Sequence, residues 1–379
     1  MSGPTYRFAV ISYRDIRHPE FGGAEVILYE IFRRFAAWGH EVRFLTGHWR
    51  GAPFEEEIEG MRITRAGSQY TFNLRAPGML RRLLDREPVD LVVEDINKIP
   101  FFSPFFQRRA PVLAVVPHLF GTTVFQQAPF PLALYVYAYE RFIPAVYRRS
   151  RFSVLSQTTF DDLAARGLPR ENLRLIRAGI DHGYYRPPER GGTVPGPVIL
   201  YLGRLKKYKR IDLVLEALPA VLRRVPDAEY WIVGEGDYRP ALEARVRAMG
   251  LGNHVRFLGF QSGAEKLETL YKTRVLVYTS PKEGWGLSVI EANALGIPAV
   301  ASDSPGLRES VRHGRTGLLV PHGDVGALEG ALIRLLTDDA GWASLGRAGM
   351  EWAAEFHWDR TARETLDLAG EVIEEWKQR

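Results

Sequence analysis

Strand and helix signals alternate along this chain in two successive runs, and a stretch dominated by proline and glycine separates them. In the first run, Arg7–Ser12 is an apolar segment of strand length. Ala24–Trp38 has apolar residues at helical spacing and stops at Gly39, and Glu41–Thr46 is a strand again. Asp90–Glu94, Val112–Val116, Phe152–Ser156 and Leu173–Ile176 read as further buried strands. Arg186–Pro197 reads as a linker. Beyond it come strand Val198–Gly203, helix Asp212–Arg224, strand Tyr230–Gly234, helix Tyr238–Met249 and strand Val255–Leu258. Strand Val275–Thr279, helix Leu287–Leu295 and strand Ala299–Ala301 follow. Parallel strands need a crossover and a helix supplies it, so the alternation predicts an α/β chain with two doubly wound parallel-sheet, Rossmann-like domains. The domains are expected at residues 1–190 and 191–359, facing a central cleft at the carboxyl ends of the sheets, with a last helix near 360–379.

A chain of 379 residues is long enough for two such cores. It has no cysteine, which excludes disulfides, cysteine-ligated zinc and a thiol nucleophile. It has no apolar run of membrane-spanning length, and Met1–Ser12 reads as a first strand and not a signal peptide. The expected location is cytoplasmic, free or peripheral at the inner face of the membrane. The net charge of +5 is uneven: 26 basic and 20 acidic residues precede Gly191, whereas 24 basic and 25 acidic residues follow from there. Paired arginines recur in the first half, at Arg33-Arg34, Arg81-Arg82, Arg108-Arg109 and Arg148-Arg149. The surplus is either a solvated surface or a face that meets anionic lipid or an acidic acceptor. No nucleic-acid partner is expected.

Five motifs sit where strands end. Gly22-Gly23 precede the first helix, with Glu25 just inside it; adjacent glycines permit positive φ and close approach of a ligand, though a plain helix cap explains them as well. Arg204 and Lys209, in the basic loop after Val198–Gly203, suit a diphosphate or form a solvated loop. Gly234 opens the turn after the next strand. His118 ends the strand Val112–Val116 and is either a structural histidine or a site residue. Glu283 and Glu291 bracket Gly284-Trp285-Gly286-Leu287 at a helix start, with Glu283 just before it and Glu291 about two turns in. Free N–H groups there favour phosphate; a capped helix with a solvated glutamate is the alternative.

The absences narrow the chemistry. There is no dinucleotide fingerprint after the first strand, no Walker pattern, no zinc-ligand cluster and no nucleophile elbow. No Asp-x-Asp triplet occurs, so the expectation is that side chains and helix ends neutralise any phosphate, with no metal and no cofactor.

Together these residues resemble glycosyltransferase family four, the retaining glycosyltransferases of the GT-B fold. The resemblance covers essentially the full chain and is strongest from Val198 to about Glu329. It runs through Gly203-Arg204-Leu205 with Lys209, Val233-Gly234-Glu235-Gly236, Val255–Gly259, Ser280–Glu291, Gly296–Asp303, Gly306–Glu309 and Gly314–Val320. It implies an amino-terminal acceptor domain, a carboxyl-terminal donor domain and a last helix that packs back on the first domain. The implied donor is a UDP- or GDP-linked hexose. Glu291 would hold the ribose and Glu283 the sugar. N–H groups at Trp285, Gly286 and Leu287 would face the sugar and distal phosphate. Arg204 and Lys209 would take the diphosphate, Gly22 and Gly23 would close over it, and His118 would bond the sugar near the anomeric carbon. Trp285 and Asn293 stand where the family often has Phe and Met, so sugar preference does not carry over.

The acceptor stays open, whether sugar, lipid-linked or small molecule, with Glu25 the candidate contact. Phe101-Phe102, Phe105-Phe106, Arg108-Arg109, Tyr135, Tyr137, Tyr139 and Arg141 read either as core and rim or as a surface that docks on anionic membrane. A binding protein without transfer activity and a nucleotide-sugar epimerase are the competing functions.

Overall fold

The computed structural model describes residues 4–68, 70–97, 99–126, 128–187 and 194–378. The chain divides into two compact units, Met1–Gly179 with Trp358–Arg379, and Ile180–His357. The border lies ahead of the proline- and glycine-rich run, not near residue 190. Residues after Gly179 are bonded within the second unit: Ile180 N–H donates to Phe356 O at 3.2 Å, and Tyr271 Oη donates to Arg186 O at 2.9 Å. Residues 188–193, the middle of the expected linker, lie outside the described residues.

The first unit is built on one sheet of β1 (Arg7–Ile11), β2 (Glu41–Gly47), β3 (Glu55–Ile58), β4 (Met61–Ala66), β5 (Leu91–Asp95), β6 (Val112–Val116), β7 (Arg151–Val154) and β8 (Leu173–Leu175). Their order is β3-β4-β2-β1-β5-β6-β7-β8. β1 and β6 are nearly continuous apolar runs because helices cover both faces, and β5 is apolar up to the buried Glu94 and Asp95. The aromatic residues Phe8, Phe32 and Phe35 fill one face, with ring centroids 5.0–6.1 Å apart. Tyr13, Phe72, Phe101, Tyr147 and Phe152 belong to another buried cluster. One pairing departs from the parallel expectation: β3 and β4 form an antiparallel hairpin. Glu59 and Gly60 both take positive φ, 46° and 78°, which matches the twist of a two-residue hairpin turn. Three glutamates on β3 keep that edge from pairing further.

The C-terminal helix, Trp358–Lys377, belongs to this unit. Asp359 bonds Arg34 at 2.7 Å, Thr361 bonds Arg177 O at 2.8 Å and Glu371 bonds Arg174 at 2.8 Å.

The second unit has six parallel strands, β9 (Val198–Leu202), β10 (Glu229–Val233), β11 (Val255–Gly259), β12 (Val275–Tyr278), β13 (Ala299–Ser302) and β14 (Gly317–Val320). They are ordered β11-β10-β9-β12-β13-β14. The chain leaves β9 in one direction for β10 and β11, then returns to its other side for β12. The strand order therefore reverses between β9 and β12, and loops leaving the carboxyl ends of these two strands flank a crevice.

Candidate active site

Those two loops carry most of the donor-side candidates. The loop after β9 is fastened to the loop after β10 by backbone: Gly203 N–H donates to Val233 O and Leu205 N–H to Glu235 O, each at 2.9 Å. Gly234 is required there. Its φ is +130°, and a Cβ would lie 2.0 Å from Gly203 O. Gly234 thus shapes the site by letting two loops touch. This loop exposes Arg204 and then turns Lys209 inward, where it is buried.

The loop after β12 delivers Glu283. Lys209 Nζ donates to Glu283 Oε1 at 2.5 Å, and Ser280 Oγ donates to the same oxygen at 2.6 Å. The two side chains are only 11% and 15% exposed. Burial opposes the charge on Lys209, but the field of Glu283, with Tyr208 and the Glu283 hydrogen bond, outweighs it and holds the lysine pKa above its ordinary value. Arg204 pushes the other way, so both cations act on the same small region. Glu283 N–H donates to Pro305 O at 3.0 Å, and Gly306, with φ +81°, leaves room for the Glu283 carbonyl, which a Cβ would approach to 2.1 Å.

Gly284 and Trp285 lead to Gly286, whose φ of +88° starts the helix Leu287–Ala294. Val289 N–H donates to Gly286 O at 2.9 Å, and the N–H groups of Leu287 and Ser288 ahead of it have no intrahelical acceptor. Glu291 is the fifth residue of that helix, so it stands about one turn in and not two. It is buried and receives Lys266 Nζ at 2.9 Å; the same ammonium donates to Tyr185 Oη at 2.6 Å. Burial pushes the Tyr185 phenol up, and Glu291 pushes it further. Tyr278, at the end of β12, is also raised by burial. A Ser288 hydrogen bond works against this, while Glu283 and Glu291 add to it, so a protonated tyrosine stands in the field of both glutamates. Its hydroxyl donates to Leu202 O, tying β12 to β9.

Tyr185, Lys266, Tyr278 and Ser280 escaped sequence reasoning. Lys266 sits 25 residues and Tyr185 sits 106 residues from Glu291, on segments with no motif of their own. The two departures from the family pattern are packing residues. The Trp285 indole is buried, edge-on to Phe356 at 5.3 Å. Asn293 is fully buried, and its Nδ2 donates to Ile297 O at 3.1 Å and Thr316 O at 3.3 Å.

Gly22, Gly23, Glu25 and His118 belong to the first unit. Gly22 is extended, at φ −146°, and Gly23 opens the helix Gly23–Ala37, so neither uses the positive φ that the pair permits. Nothing lies within 4 Å of a Cβ placed on Gly23, which leaves that helix end open to close approach. Glu25 is buried and accepts Gly22 N–H at 2.8 Å, so it caps the helix. His118 follows β6, half-buried and edge-on to Phe120 at 5.1 Å. Its loop is held by the fully buried Glu140, which accepts Phe120 N–H at 2.6 Å and Gly121 N–H at 2.8 Å. Among the described residues, no group of three or more His, Cys, Asp or Glu could hold a metal ion.

A helix-flanked crevice with a buried lysine, an exposed arginine and a helix N-terminus can hold a diphosphate, and the two glutamates beside it can hold hydroxyls. Solved structures have this fold. Sucrose-phosphate synthase from Thermosynechococcus elongatus superposes with a TM-score of 0.81, at 23% identity, over 97% of this chain and 99% of that one. Anabaena HepE, solved with UDP and glucose, gives 0.76 at 19% identity over 97% and 100%. The architecture is the GT-B fold of glycosyltransferases.

Residues 21–184 match the family model described as Glycosyltransferase Family 4, and residues 190–352 match that of Glycosyl transferases group 1. The chain belongs to glycosyltransferase family four. A GDP-mannose-dependent alpha-(1-6)-phosphatidylinositol monomannoside mannosyltransferase of Mycobacterium tuberculosis is 31% identical over 240 residues, 59% of each chain. A D-inositol 3-phosphate glycosyltransferase of Salinispora tropica is 36% identical over 202 residues, 51% of this chain and 41% of that one. The chain thus spans little more than half the length of the first relative and less of the second.

Proposed function

We propose that this protein is a retaining, metal-independent glycosyltransferase that moves a hexose from a nucleoside diphosphate sugar to an acceptor hydroxyl in glycolipid or polysaccharide synthesis. The observation that carries this reading is the 2.5 Å contact of Lys209 with Glu283, brought together from the ends of β9 and β12. Glu291 stands one turn into the adjoining helix. In this reading Glu291 holds the ribose, Glu283 the transferred sugar, and Lys209, Arg204 and the N–H groups from Gly284 to Leu287 the diphosphate.

Cleavage of the anomeric C–O bond sends its electron pair to the diphosphate. Lys209 is held protonated by its surroundings and is already beside the site, so it stabilises that charge without reorganisation; each such donor contributes a few kcal/mol. The acceptor hydroxyl attacks on the face the diphosphate leaves and passes its proton to the departing phosphate oxygen. No carboxylate base is needed, which suits two glutamates that are already engaged by lysines.

For the acceptor we favour a lipid-linked molecule at a membrane surface. The helix Phe130–Arg141 buries only Ala133 and Glu140, while Phe130, Leu132 and Leu134 are about half exposed or more. No helix among the described residues is long and apolar enough to cross a membrane. A relative's name includes phosphatidylinositol monomannoside, which agrees with a lipid acceptor. The nucleotide is GDP or UDP, the first named for a relative and the second bound by a structural neighbour.

A thermal-shift screen across nucleoside diphosphates and nucleotide sugars identifies the donor, because a ligand at about 100 times its Kd adds about 2.7 kcal/mol. Transfer with that donor, read by the anomeric configuration of the product, tests the reaction. No donor turnover in any condition would leave a binding protein. Donor interconversion without acceptor would indicate an epimerase.

A further inference from the structure

The first unit carries a cavity of about 460 Å3 at the amino ends of β6 and β7. Val112 and Arg151, the first residues of those strands, line it. The loops that hold His118 and Gly22 leave the other, carboxyl ends of this sheet, roughly 15 Å along the strands. The cavity is therefore separate from the candidate residues already described.

Its charge is one-sided. Arg108, Arg148, Arg149 and Arg151 line it with a single acid, Glu375. Glu375 is already paired with Arg151. Among the described residues Arg108, Arg148 and Arg149 form no ion pair, and all three are exposed. Three uncompensated guanidiniums around one concavity repel one another and attract a group with several acceptor oxygens. The volume suits a headgroup-sized ligand.

Exposed aromatic residues adjoin the lining segments in sequence. Phe105, next to the lining residue Pro104, is 80% exposed. Phe142, immediately before the helix Ile143–Val146 whose last two residues line the cavity, is 57% exposed. Trp376 of the C-terminal helix is itself a lining residue and is 38% exposed. A site for a soluble anion gains nothing from phenylalanines that face water, whereas rings around a basic pocket suit the boundary between headgroups and acyl chains.

We propose that this pocket grips the phosphate of an anionic phospholipid, with Phe105 and Phe142 entering the membrane interface around it. The proposal rests on the membrane-surface reading given above, and it is independent of the transfer chemistry.

The full chain is sedimented with vesicles of phosphatidylcholine alone and of equimolar phosphatidylcholine and phosphatidylglycerol, without donor or acceptor. Binding is expected on the anionic vesicles and is expected to fall with salt. Each of Arg108→Ala, Arg148→Ala and Arg149→Ala lowers the partition coefficient about fivefold, and the triple variant on the order of 100-fold. The triple lysine variant keeps most of the binding, and an unchanged melting temperature shows that each variant is folded. Equal binding by the parent and a folded triple alanine variant overturns the proposal. So does absence of vesicle binding when glycerol phosphate in solution raises the melting temperature of the parent but not of the variant, which marks a soluble-anion site. A donor-induced thermal shift on the same samples separates the two readings. Arginine-dependent vesicle binding without any donor shift sinks the transferase reading and leaves the lipid site; a donor shift without arginine-dependent binding does the reverse.

Discussion

Two charged clusters, one in each unit, hold their groups in opposite ways. In the second, the functional candidates are engaged with one another: Lys209 with Glu283, and Glu291 with Lys266 and Tyr185. In the first, Arg108, Arg148 and Arg149 at the amino-end cavity have no such partners among the described residues, and Phe105 and Phe142, near them in sequence, are exposed. A site whose groups neutralise one another stays ordered before ligand arrives and exchanges internal pairs for ligand contacts. A surface left unpaired is stabilised by what it binds. The contrast teaches that the Lys209–Glu283 and Lys266–Glu291 groups of the second unit are preorganised, whereas the first unit presents surface still to be covered.

The sharpest way to break this comparison is Lys209→Ala. It removes the cation that the proposed reaction aims at the leaving group and leaves the largely covered Glu283 without its counter-ion. Transfer at saturating donor should fall on the order of 10²- to 10³-fold, and stability by about 3 kcal/mol in a denaturant titration. Near-parental turnover would remove Lys209 from the chemistry. Glu291→Ala should act mainly on binding. The loss of hydrogen bonds between a carboxylate and ribose should raise the donor KM on the order of 10- to 100-fold, with a smaller change in kcat. A change confined to kcat would contradict a ribose role.

Backbone substitutions sharpen the contrast at a lower energy scale. Gly306→Ala forces a Cβ against the Glu283 carbonyl at positive φ, and should cost about 2 kcal/mol in stability while displacing Glu283. Gly23→Ala meets nothing within 4 Å at a helix start, and should leave the melting temperature equal or slightly higher. If Gly23→Ala nonetheless weakens donor binding, a ligand approaches that helix end closely.

The smallest effect expected is on pH dependence. Lys209 has a folded pKa above its unfolded value, so its pairing adds stability that is fully present below about pH 10.4. That contribution is lost as pH rises through the folded value. The stability difference between the parent and Lys209→Met should stay constant from neutral pH to about pH 10 and shrink above it. A difference that shrinks on acidification instead would mean that another group controls the pair.

Much of this was legible from the chain alone. Gly203-Arg204-Leu205, Gly234 and the Glu283–Glu291 run were found because each stands where a strand signal ends, and parallel strands present such ends to ligands. The β3–β4 hairpin was not found, because its strand Glu55–Ile58 is three glutamates and one isoleucine, with no apolar alternation to read. Tyr185 and Lys266 were not found because a hydrogen bond across 81 residues leaves no local pattern.

The sequence by itself determined most element types, the parallel pairing of the second sheet and the positions of the loops after its strands. These follow from periodicity, glycine placement and strand ends, all of which act over a few residues. Only the tertiary structure decided that Glu283 pairs with Lys209 across 74 residues, that Trp285 and Asn293 are packing groups, and that four arginines from separate segments share one cavity. Those outcomes depend on strand order, which brings distant segments together and which no local pattern encodes.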